Sequence, residues 1–315
     1  MQRDWVSHAL SVPALLLLAG LANLLIPHTV RYVPLLNEKD VSLQELRSAN
    51  DALNFPLRTD LVHEGLCAFL ALLPTLVIAF GRLKSRVRRR TTIIAILQAM
   101  SLTLVATEVL KKVAGRPRPN FLEVCRPVNG LCTNPNAREV ADGLKSFPSG
   151  HSAAIFAGGV FATLLLASAM RFFANDFEVC LHTKLASTAE VSTHESDFLS
   201  FLPRYVQLPL ILSPLLGASL VAVSRTVDYH HNFDDIVAGA AIGSVISSVV
   251  YFAHFPALTS VLCDWTRSEQ CLHATRAANL YFSRIAAARA LAVQQSAILP
   301  WEMVPPESTT TPVPQ

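Results

Sequence analysis

Six long apolar runs alternate with polar segments along the 315-residue chain. Each run reaches roughly 17–25 residues, the length that an α-helix needs to cross the hydrocarbon core of a bilayer. The pattern therefore predicts an all-α, polytopic integral membrane protein with six transmembrane helices. The predicted spans run from His8 to Pro27, Glu64 to Gly81, Thr91 to Leu110, Ser152 to Met170, Pro203 to Val223 and Ile236 to Phe255.

The first run has a second interpretation, the core of a secretory signal peptide, because it follows a polar start with Arg3 and Asp4. It has no convincing small-residue cleavage site. Its stretch VPALLLLAGLANLLIP is also long for a signal core. We therefore interpret the run as a membrane span.

The composition supports lipid as the surrounding medium. Hydrophobic residues make up 51% of the chain and charged residues only 16%, and the mean hydropathy is +0.39. A soluble domain normally carries about 25% charged residues. The chain also shows no internal repeat and no second globular domain.

Positive residues in the short loops predict the orientation in the membrane. The link RLKSRVRRR (82–90) holds six Lys or Arg and no acid, so it is expected in the cytoplasm. Both termini and the 171–202 loop then also lie in the cytoplasm. The 28–63, 111–151 and 224–235 loops face outward or into a lumen. Because the 111–151 loop is itself basic, this orientation requires its cations to have another role.

Two of the six cysteines share a predicted outer loop. Cys125 and Cys132 lie in the stretch VCRPVNGLC, and an oxidising compartment would allow them to form a disulfide. We hypothesise that bond.

Four segments outside the spans have weaker patterns. The polar 28–63 segment predicts a short surface helix around Ser42 to Leu53, and the 171–202 loop has no periodicity and is expected to be flexible. The Ala-rich stretch from Asp264 to Leu299 predicts a helix, either interfacial or cytosolic. The last residues, PPESTTTPVPQ, have the composition of a disordered tail.

The predicted topology places three polar clusters on one face of the membrane. The first is KKVAGRPRPNF (111–121), where a glycine and two prolines must end the third helix. Its Lys111 and Arg118 suit an anion, because Arg offers planar bidentate donors to phosphate and Lys a point charge. The alternative is that these cations only face lipid headgroups. Glu108 lies one helical turn before Lys112, so the spacing also allows these two side chains to pair.

The second cluster is SFPSGHSA (146–153), which opens the fourth predicted span. Ser149 occupies the position of a helix cap, and Gly150 lets the backbone come close to a ligand. The free N–H groups of a helix start form an anion site, and His151 would lie beside the bound anion. The alternative is an ordinary serine cap with an interfacial histidine.

The third cluster is SRTVDYHHNFDDIVAG (224–239), between the fifth and sixth predicted spans. Two helical registers are open, His231 with Asp235 or His230 with Asp234, each spaced i,i+4. In either register a carboxylate would fix the imidazole tautomer and strengthen the free ring nitrogen as a nucleophile. Ionisable residues at this depth in a membrane are costly and usually functional.

Taken together, the three clusters resemble the signature of the type 2 phosphatidic acid phosphatase and haloperoxidase-like superfamily. The pattern is Lys111-x6-Arg118-Pro119, then Pro148-Ser149-Gly150-His151, then Ser224-Arg225-x5-His231-x3-Asp235. Within that superfamily, the spans and motifs look most like the integral-membrane lipid phosphate phosphatases. The resemblance covers about 58–255 as the phosphatase core with spans two to six. It leaves 1–57 as an N-terminal span and outer loop, and 256–315 as a cytoplasmic helical segment and Pro/Thr tail.

The resemblance implies a site at the outer or lumenal interface and selects the register of His231 with Asp235. It implies that His231 attacks phosphorus, that Asp235 orients its ring, and that His151 protonates the leaving group and then activates water. It also implies a metal-independent reaction with no cofactor, in which protein cations take the place of Mg²⁺. The implied phosphate-binding residues are Lys111, Arg118, Ser149, Gly150 and Arg225.

The expected partners are membrane lipids and a phosphorylated lipid substrate, with no nucleic acid. Candidate substrates are phosphatidic acid, lysophosphatidic acid, diacylglycerol pyrophosphate and sphingoid phosphates, and the sequence does not choose among them. It also leaves open a homo-oligomer and the identity of the membrane, plasma membrane or endomembrane (endoplasmic reticulum or Golgi). The alternatives to hydrolysis are a non-catalytic scaffold that binds lipid phosphates, a lipid phosphotransferase and a transporter.

Overall fold

Helices form almost all of the regular structure in the computed structural model of the chain. The structure describes residues 2–26, 51–81, 83, 85–128, 131–174, 202–260, 263, 265–267, 269 and 270. In chain order the elements are α1 (Gln2–Leu25), a 3₁₀ turn (Asp51–Leu53), α2 (Glu64–Gly81), α3 (Arg86–Ala114), α4 (Phe121–Cys125), β1 (Pro127–Val128), β2 (Leu131–Cys132), α5 (Ala137–Gly143), α6 (Gly150–Ala169), α7 (Arg204–Val227) and α8 (Phe233–His254).

Five helices among the described residues are long and apolar enough to cross a membrane. They are α2, α3, α6, α7 and α8, and they match the second to sixth predicted spans. This result confirms the all-α, multi-pass class of the protein. Helix α1 covers most of the first apolar run and packs against α3, and its membrane crossing stays a prediction.

Helix α6 is the centre of the bundle and packs against α2, α3, α7 and α8. It is the most buried of the five, with 61% of its apolar window inside the protein against 22% to 39% for the others. Small residues make this possible, because they let neighbouring helix backbones approach closely. A Cβ on Gly158 of α6 would lie 2.0 Å from the carbonyl oxygen of Ala71 in α2. One on Gly243 of α8 would lie 2.1 Å from the carbonyl oxygen of Ala153 in α6.

An aromatic cluster fills the core near the C-terminal end of α8. The ring centroids of Phe161 and Tyr251 lie 5.6 Å apart in an edge-to-face arrangement. Tyr251 and Phe255 stack with centroids 4.8 Å apart. The aromatic end of the bundle therefore lies away from the polar N-terminal end of α8.

Helix α3 is longer at its start than the apolar pattern predicted. It begins at Arg86 rather than Thr91, because the Ser85 side chain accepts a hydrogen bond from the Arg88 N–H at 3.3 Å and caps the helix. At its other end α3 stops at Ala114, and Gly115 takes the left-handed conformation with φ 54°. The predicted helix break in the first cluster is thus confirmed, while residues 86–90 of the predicted basic link belong to the start of α3.

A two-stranded antiparallel ribbon follows α4. It pairs Pro127 with Cys132 and Val128 with Leu131. The structure joins Cys125 and Cys132 in a disulfide across this ribbon, with a Cα–Cα distance of 4.7 Å.

Several expectations fall partly or wholly outside the described residues. Of the predicted surface helix around 42–53 only the 3₁₀ turn is described. The 175–201 part of the 171–202 loop, most of the predicted 264–299 helix and the Pro/Thr tail also lie outside. The described chain up to 267 belongs to one compact unit, Met1–Ser268, and of the second unit, from Glu269, only Glu269 and Gln270 are described.

The contact between α6 and α8 generates a stability prediction. Gly243→Ala places a methyl group 2.1 Å from a backbone oxygen of α6, so we expect a loss of roughly 1–3 kcal/mol of unfolding free energy from overpacking. The matched control is Gly217→Ala in α7, where an added Cβ meets nothing within 4 Å. The control should be neutral or slightly stabilising, because Ala is the better helix former. Thermal unfolding in detergent micelles measures both; equal melting temperatures would contradict the close packing of α6 on α8.

Candidate active site

Main-chain hydrogen bonds bring the three polar clusters together at one end of the bundle. The end of α5 and the segment after it bond to the first cluster. Arg118 N–H donates to the Gly143 carbonyl at 2.8 Å, and Ser146 N–H donates to the Arg116 carbonyl at 2.9 Å. It also bonds to the third cluster, since Ser149 N–H donates to the Asp235 carbonyl at 3.0 Å. The C-terminal end of α3 and the N-terminal ends of α6 and α8 therefore share one site.

The N-terminus of α6 has the features of an anion site. Ser149 is its N-cap, as predicted, and its hydroxyl oxygen accepts from the Ser152 N–H at 3.3 Å. The first N–H groups of a helix have no partner within the helix. Lys111 lies directly beside them. Its Nζ is only 3.0 Å from the position that a Cβ on Gly150 would occupy. A cation and a helix N-terminus thus face the same point, which favours a bound anion.

The ring of His231 is oriented by a backbone carbonyl. Its Nδ1 lies 2.8 Å from the Ser146 carbonyl oxygen, so Nδ1–H donates and Nε2 carries the free lone pair. Asp235 Oδ2 is 4.0 Å from the same Nδ1, which is beyond hydrogen-bonding distance. The expected direct bond from Asp235 to the ring is therefore replaced by the bond to Ser146. The physical reason is that α8 begins only at Phe233, so the i,i+4 geometry of a helix does not extend to His231.

Asp235 instead connects all three clusters through its buried carboxylate. Its Oδ1 accepts from Arg116 Nη1 at 2.8 Å. Its Oδ2 accepts from the Ser146 hydroxyl at 2.6 Å and from the Asn232 N–H at 2.9 Å. The Asn232 contact closes a capping box at the start of α8. Asp235 thus acts on His231 by holding Ser146, whose carbonyl orients the ring.

Burial and neighbouring cations keep His231 neutral. Burial lowers the pKa of His231 well below its usual value, and the positive charges of Arg118 and Lys111 lower it further. A neutral imidazole with a free Nε2 is the form that can act as a nucleophile.

The alternative register, His230 with Asp234, is not formed. His230 Nδ1 lies 3.0 Å from the Asp228 carbonyl oxygen, while Asp234 bonds to Arg116 at the surface, with 63% of its side chain exposed. Burial lowers the pKa of His230, and the charge of Arg118 adds to this effect.

Each predicted phosphate-binding cation is paired with a carboxylate. Lys111 Nζ contacts Glu108 at 2.9 Å, Arg118 contacts Asp142 at 2.8 Å, and Arg225 contacts Asp60 at 3.0 Å and also Asp228. Glu108 therefore pairs with Lys111 and not with Lys112, whose Nζ donates to the Ile26 carbonyl at 3.2 Å. The carboxylates offset the repulsion among cations that are gathered in one place.

Three predicted site residues keep a buried polar atom that has no hydrogen-bond partner within the part of the chain that the structure describes. They are Arg118 Nε, Arg225 Nε and His151 Nε2. A buried polar atom without a partner is costly, and such atoms in native proteins commonly serve a ligand or a reaction. The three atoms therefore support an anion-binding, chemically active site here.

Four residues of the site were missed by sequence reasoning: Arg116, Ser146, Asp60 and Asp228. Arg116, Ser146 and Asp228 lie inside the three recognised clusters, but their contacts depend on tertiary packing and have no local signal. Asp60 has no sequence signal, because it contacts Arg225 from 165 residues away.

A cavity of about 450 Å³ opens beside the site. Lys111, Gly150 and His151 line it, and so do the carboxylates of Glu64 and Glu108. The rest is mostly apolar and lies between α1, α2 and α3, with side chains such as Leu16, Leu72, Leu97, Met100 and Leu104. The site is thus continuous with a space for an apolar group.

The fold and the site together define a class. It is a multi-pass helical membrane protein in which a neutral histidine lies beside a group of cations that suits a bound anion. Comparison with known families identifies that class further. The model of the PAP2 superfamily matches residues 92–258, and the chain belongs to this superfamily.

Curated relatives support the family. A PA-phosphatase related-family protein of Dictyostelium discoideum is 32% identical over 259 residues, covering 81% of this chain and 81% of that protein. Lipid phosphate phosphatase 1 of Arabidopsis thaliana is 34% identical over 173 residues, covering 52% of this chain and 45% of the plant protein. Diacylglycerol pyrophosphate phosphatase 1 of Saccharomyces cerevisiae is 30% identical over 183 residues, covering 55% of this chain and 54% of the yeast protein. The chain thus spans about half the length of the last two. No solved structure gives a significant match.

The contacts of Arg116 generate a prediction about the site. In a double-mutant cycle, Arg116→Gln and Asp235→Asn should show a coupling of at least about 1 kcal/mol in unfolding free energy, because their ion pair has a fully buried carboxylate. The matched cycle uses Asp234→Asn, whose carboxylate binds the same Nη1 but is largely exposed, and it should couple by less than about 0.5 kcal/mol. Chemical unfolding in detergent measures both cycles. Equal couplings would show that Asp235 is not the buried anchor.

Proposed function

We propose that the protein is a metal-independent lipid phosphate phosphatase that works through a phosphohistidine. The observation that carries the proposal is His231: a buried ring with Nδ1–H bonded to a carbonyl and Nε2 free, beside cations that suit a phosphate. Membership of the PAP2 superfamily and the names of the Arabidopsis and yeast relatives support lipid phosphates as the substrate class.

In the first step, Nε2 of His231 attacks phosphorus and the bond to the lipid oxygen breaks. His151 gives a proton to that oxygen, so the lipid leaves as an alcohol. In the second step, His151 takes a proton from water, and the resulting hydroxide attacks phosphorus. The phosphorus–nitrogen bond then breaks, which releases inorganic phosphate and restores His231.

Positive charge from the protein stabilises the phosphoryl oxygens. Lys111, Arg118 and Arg225 supply the cations, and the Gly150 N–H and the Ser149 hydroxyl supply further donors. Five carboxylates around the site each contact a protein cation: Asp60, Glu108, Asp142, Asp228 and Asp235. The arrangement thus gives transition-state stabilisation through side chains and helix N–H groups, which supports a reaction without a metal ion.

The two ends of α3 support the proposed orientation. The arginine-rich start at Arg86 and the site residue Lys111 lie at opposite ends of one helix. If the basic end is cytoplasmic, the site lies at the outer or lumenal interface. The Cys125–Cys132 disulfide lies on the segment next to the site, where such a compartment would allow it.

The sixth span is proposed for α1. Its C-terminal end reaches the site end of α3, since the carbonyl of Ile26 accepts from Lys112 Nζ. A helix of 24 residues is long enough to cross the membrane. With its C-terminal end at the outer or lumenal side, its N-terminus would lie in the cytoplasm. With six spans the C-terminus is cytoplasmic too.

The central test is phosphate release from phosphatidic acid in detergent micelles containing EDTA. We expect turnover by the wild type and none by His231→Ala, because no other group replaces the nucleophile. Ser149→Ala removes one donor and should lower kcat on the order of 10²–10³-fold.

Other outcomes would redirect the proposal. If His231→Ala kept wild-type activity, the nucleophile assignment would be wrong. Binding of lipid phosphate without turnover by the wild type would indicate a scaffold. Turnover only with a second lipid present would indicate a phosphotransferase.

The cavity generates a prediction about the lipid chain. Leu104→Trp fills the apolar part of the cavity and should lower kcat/KM for dioleoyl phosphatidic acid at least about tenfold, because each displaced methylene costs about 0.8 kcal/mol. Dihexanoyl phosphatidic acid, with shorter chains, should lose less than about threefold on the same reasoning. Leu216→Trp in α7 is the matched control, because Leu216 is 63% exposed. Equal losses for both substrates would place the chains elsewhere.

A further inference from the structure

A segment far from the three motifs crosses the third cluster. Residues 54–62, here called the strap, lie between the 3₁₀ turn and α2, before the first residue of the family match, 92. The Phe55 N–H donates to the Pro119 carbonyl at 3.1 Å, and the Phe55 ring stacks on Tyr229 with centroids 4.8 Å apart. The Leu61 N–H donates to Asp228 Oδ2 at 3.1 Å. The strap is thus attached to both the first and the third cluster.

The strap contributes one carboxylate to the site. Asp60 Oδ1 accepts from Arg225 Nη1 at 3.0 Å, while Asp228 Oδ2 accepts from Nη2 of the same guanidinium. Arg225 is 1% exposed, so its planar head is held at both terminal nitrogens inside the protein. Its buried Nε has no partner within the described part of the chain and remains available to a ligand.

We propose that Asp60 is a positioning residue of the phosphate site, which fixes the plane of the Arg225 guanidinium for the phosphoryl oxygens. Asp60 acts through Arg225 and does not itself touch the substrate. This inference rests on the proposed function and adds to its site a residue from outside the matched family region.

Two opposing effects follow from the charge of Asp60. As an anion near the site it repels phosphate, and as a partner of Arg225 it orients a donor. The side chain of Asp60 is 36% exposed, so water and salt screen its repulsion. The hydrogen bond to Arg225 is partly buried and joins two charged groups, and such bonds are stronger than neutral ones. Its loss would leave a nitrogen of the buried guanidinium without a partner, which is costly. Orientation therefore outweighs repulsion, and removal of Asp60 should weaken phosphate binding.

The test compares Asp60→Ala and Asp60→Asn with the wild type in the phosphatidic acid assay. The readouts are kcat, KM and the inhibition constant of orthovanadate, a phosphate analogue. We expect Asp60→Ala to raise KM and the vanadate constant about tenfold, which lies within the usual coupling of contacting residues. Asp60→Asn keeps an acceptor oxygen and should raise both about threefold. If Asp60→Ala fails to fold, as judged by thermal unfolding in detergent, Asp60→Asn decides.

Two control variants show whether the effect is specific to the contact between Asp60 and Arg225. Thr59→Ala changes the strap next to Asp60 and should leave the vanadate constant unchanged. His230→Ala removes the other partner of Asp60, whose Nε2 lies 3.4 Å from Oδ1, and should change the constant by less than about twofold.

Three results would overturn the proposal. The first is an unchanged vanadate constant in both Asp60 variants. The second is a lower vanadate constant in these variants, which would mean that repulsion dominates, and the third is an equal change of the constant in His230→Ala. A wild type without turnover would instead reject the proposed function itself.

Discussion

The site depends on one buried carboxylate, that of Asp235. A carboxylate inside a protein must be neutralised and hydrogen-bonded, because its transfer from water is costly. Arg116 of the first cluster, Ser146 of the second and the Asn232 N–H of the third meet this requirement together. Three segments that are distant in sequence are thereby held at fixed positions, and the orientation of His231 follows from the position of Ser146.

The helix packing supplies the frame for this interaction. Glycines at the contacts of α6 let the backbones of α2 and α8 come close to it. The N-termini of α6 and α8 and the C-terminus of α3 lie together at one end of this packed bundle. The apolar helix bodies then remain in lipid while their polar ends form the site. This division suits a substrate whose phosphate lies at the interface and whose chains lie in the membrane.

The sequence predicted much of this arrangement. Long apolar runs predicted five helices that the structure contains, and the Gly and Pro residues after Ala114 predicted the end of α3. The serine cap of α6 was also predictable, because capping is a local property of a few residues. The start of α3 was placed too late, because charged residues in its first turn conceal a helix that Ser85 caps.

By itself, then, the sequence determined what local patterns control: the membrane-spanning helices, their breaks and caps, and the identity of the three motifs. Only the tertiary structure decided which side chains meet. In the folded protein a backbone carbonyl orients the ring of His231, and the Asp235 carboxylate bonds to the Ser146 hydroxyl. Asp60 contacts Arg225, which lies 165 residues away in the sequence. The physical reason is that a hydrogen bond or an ion pair depends on positions in space to within a fraction of an ångström. Such positions result from the packing of all the helices and not from the spacing within any one of them.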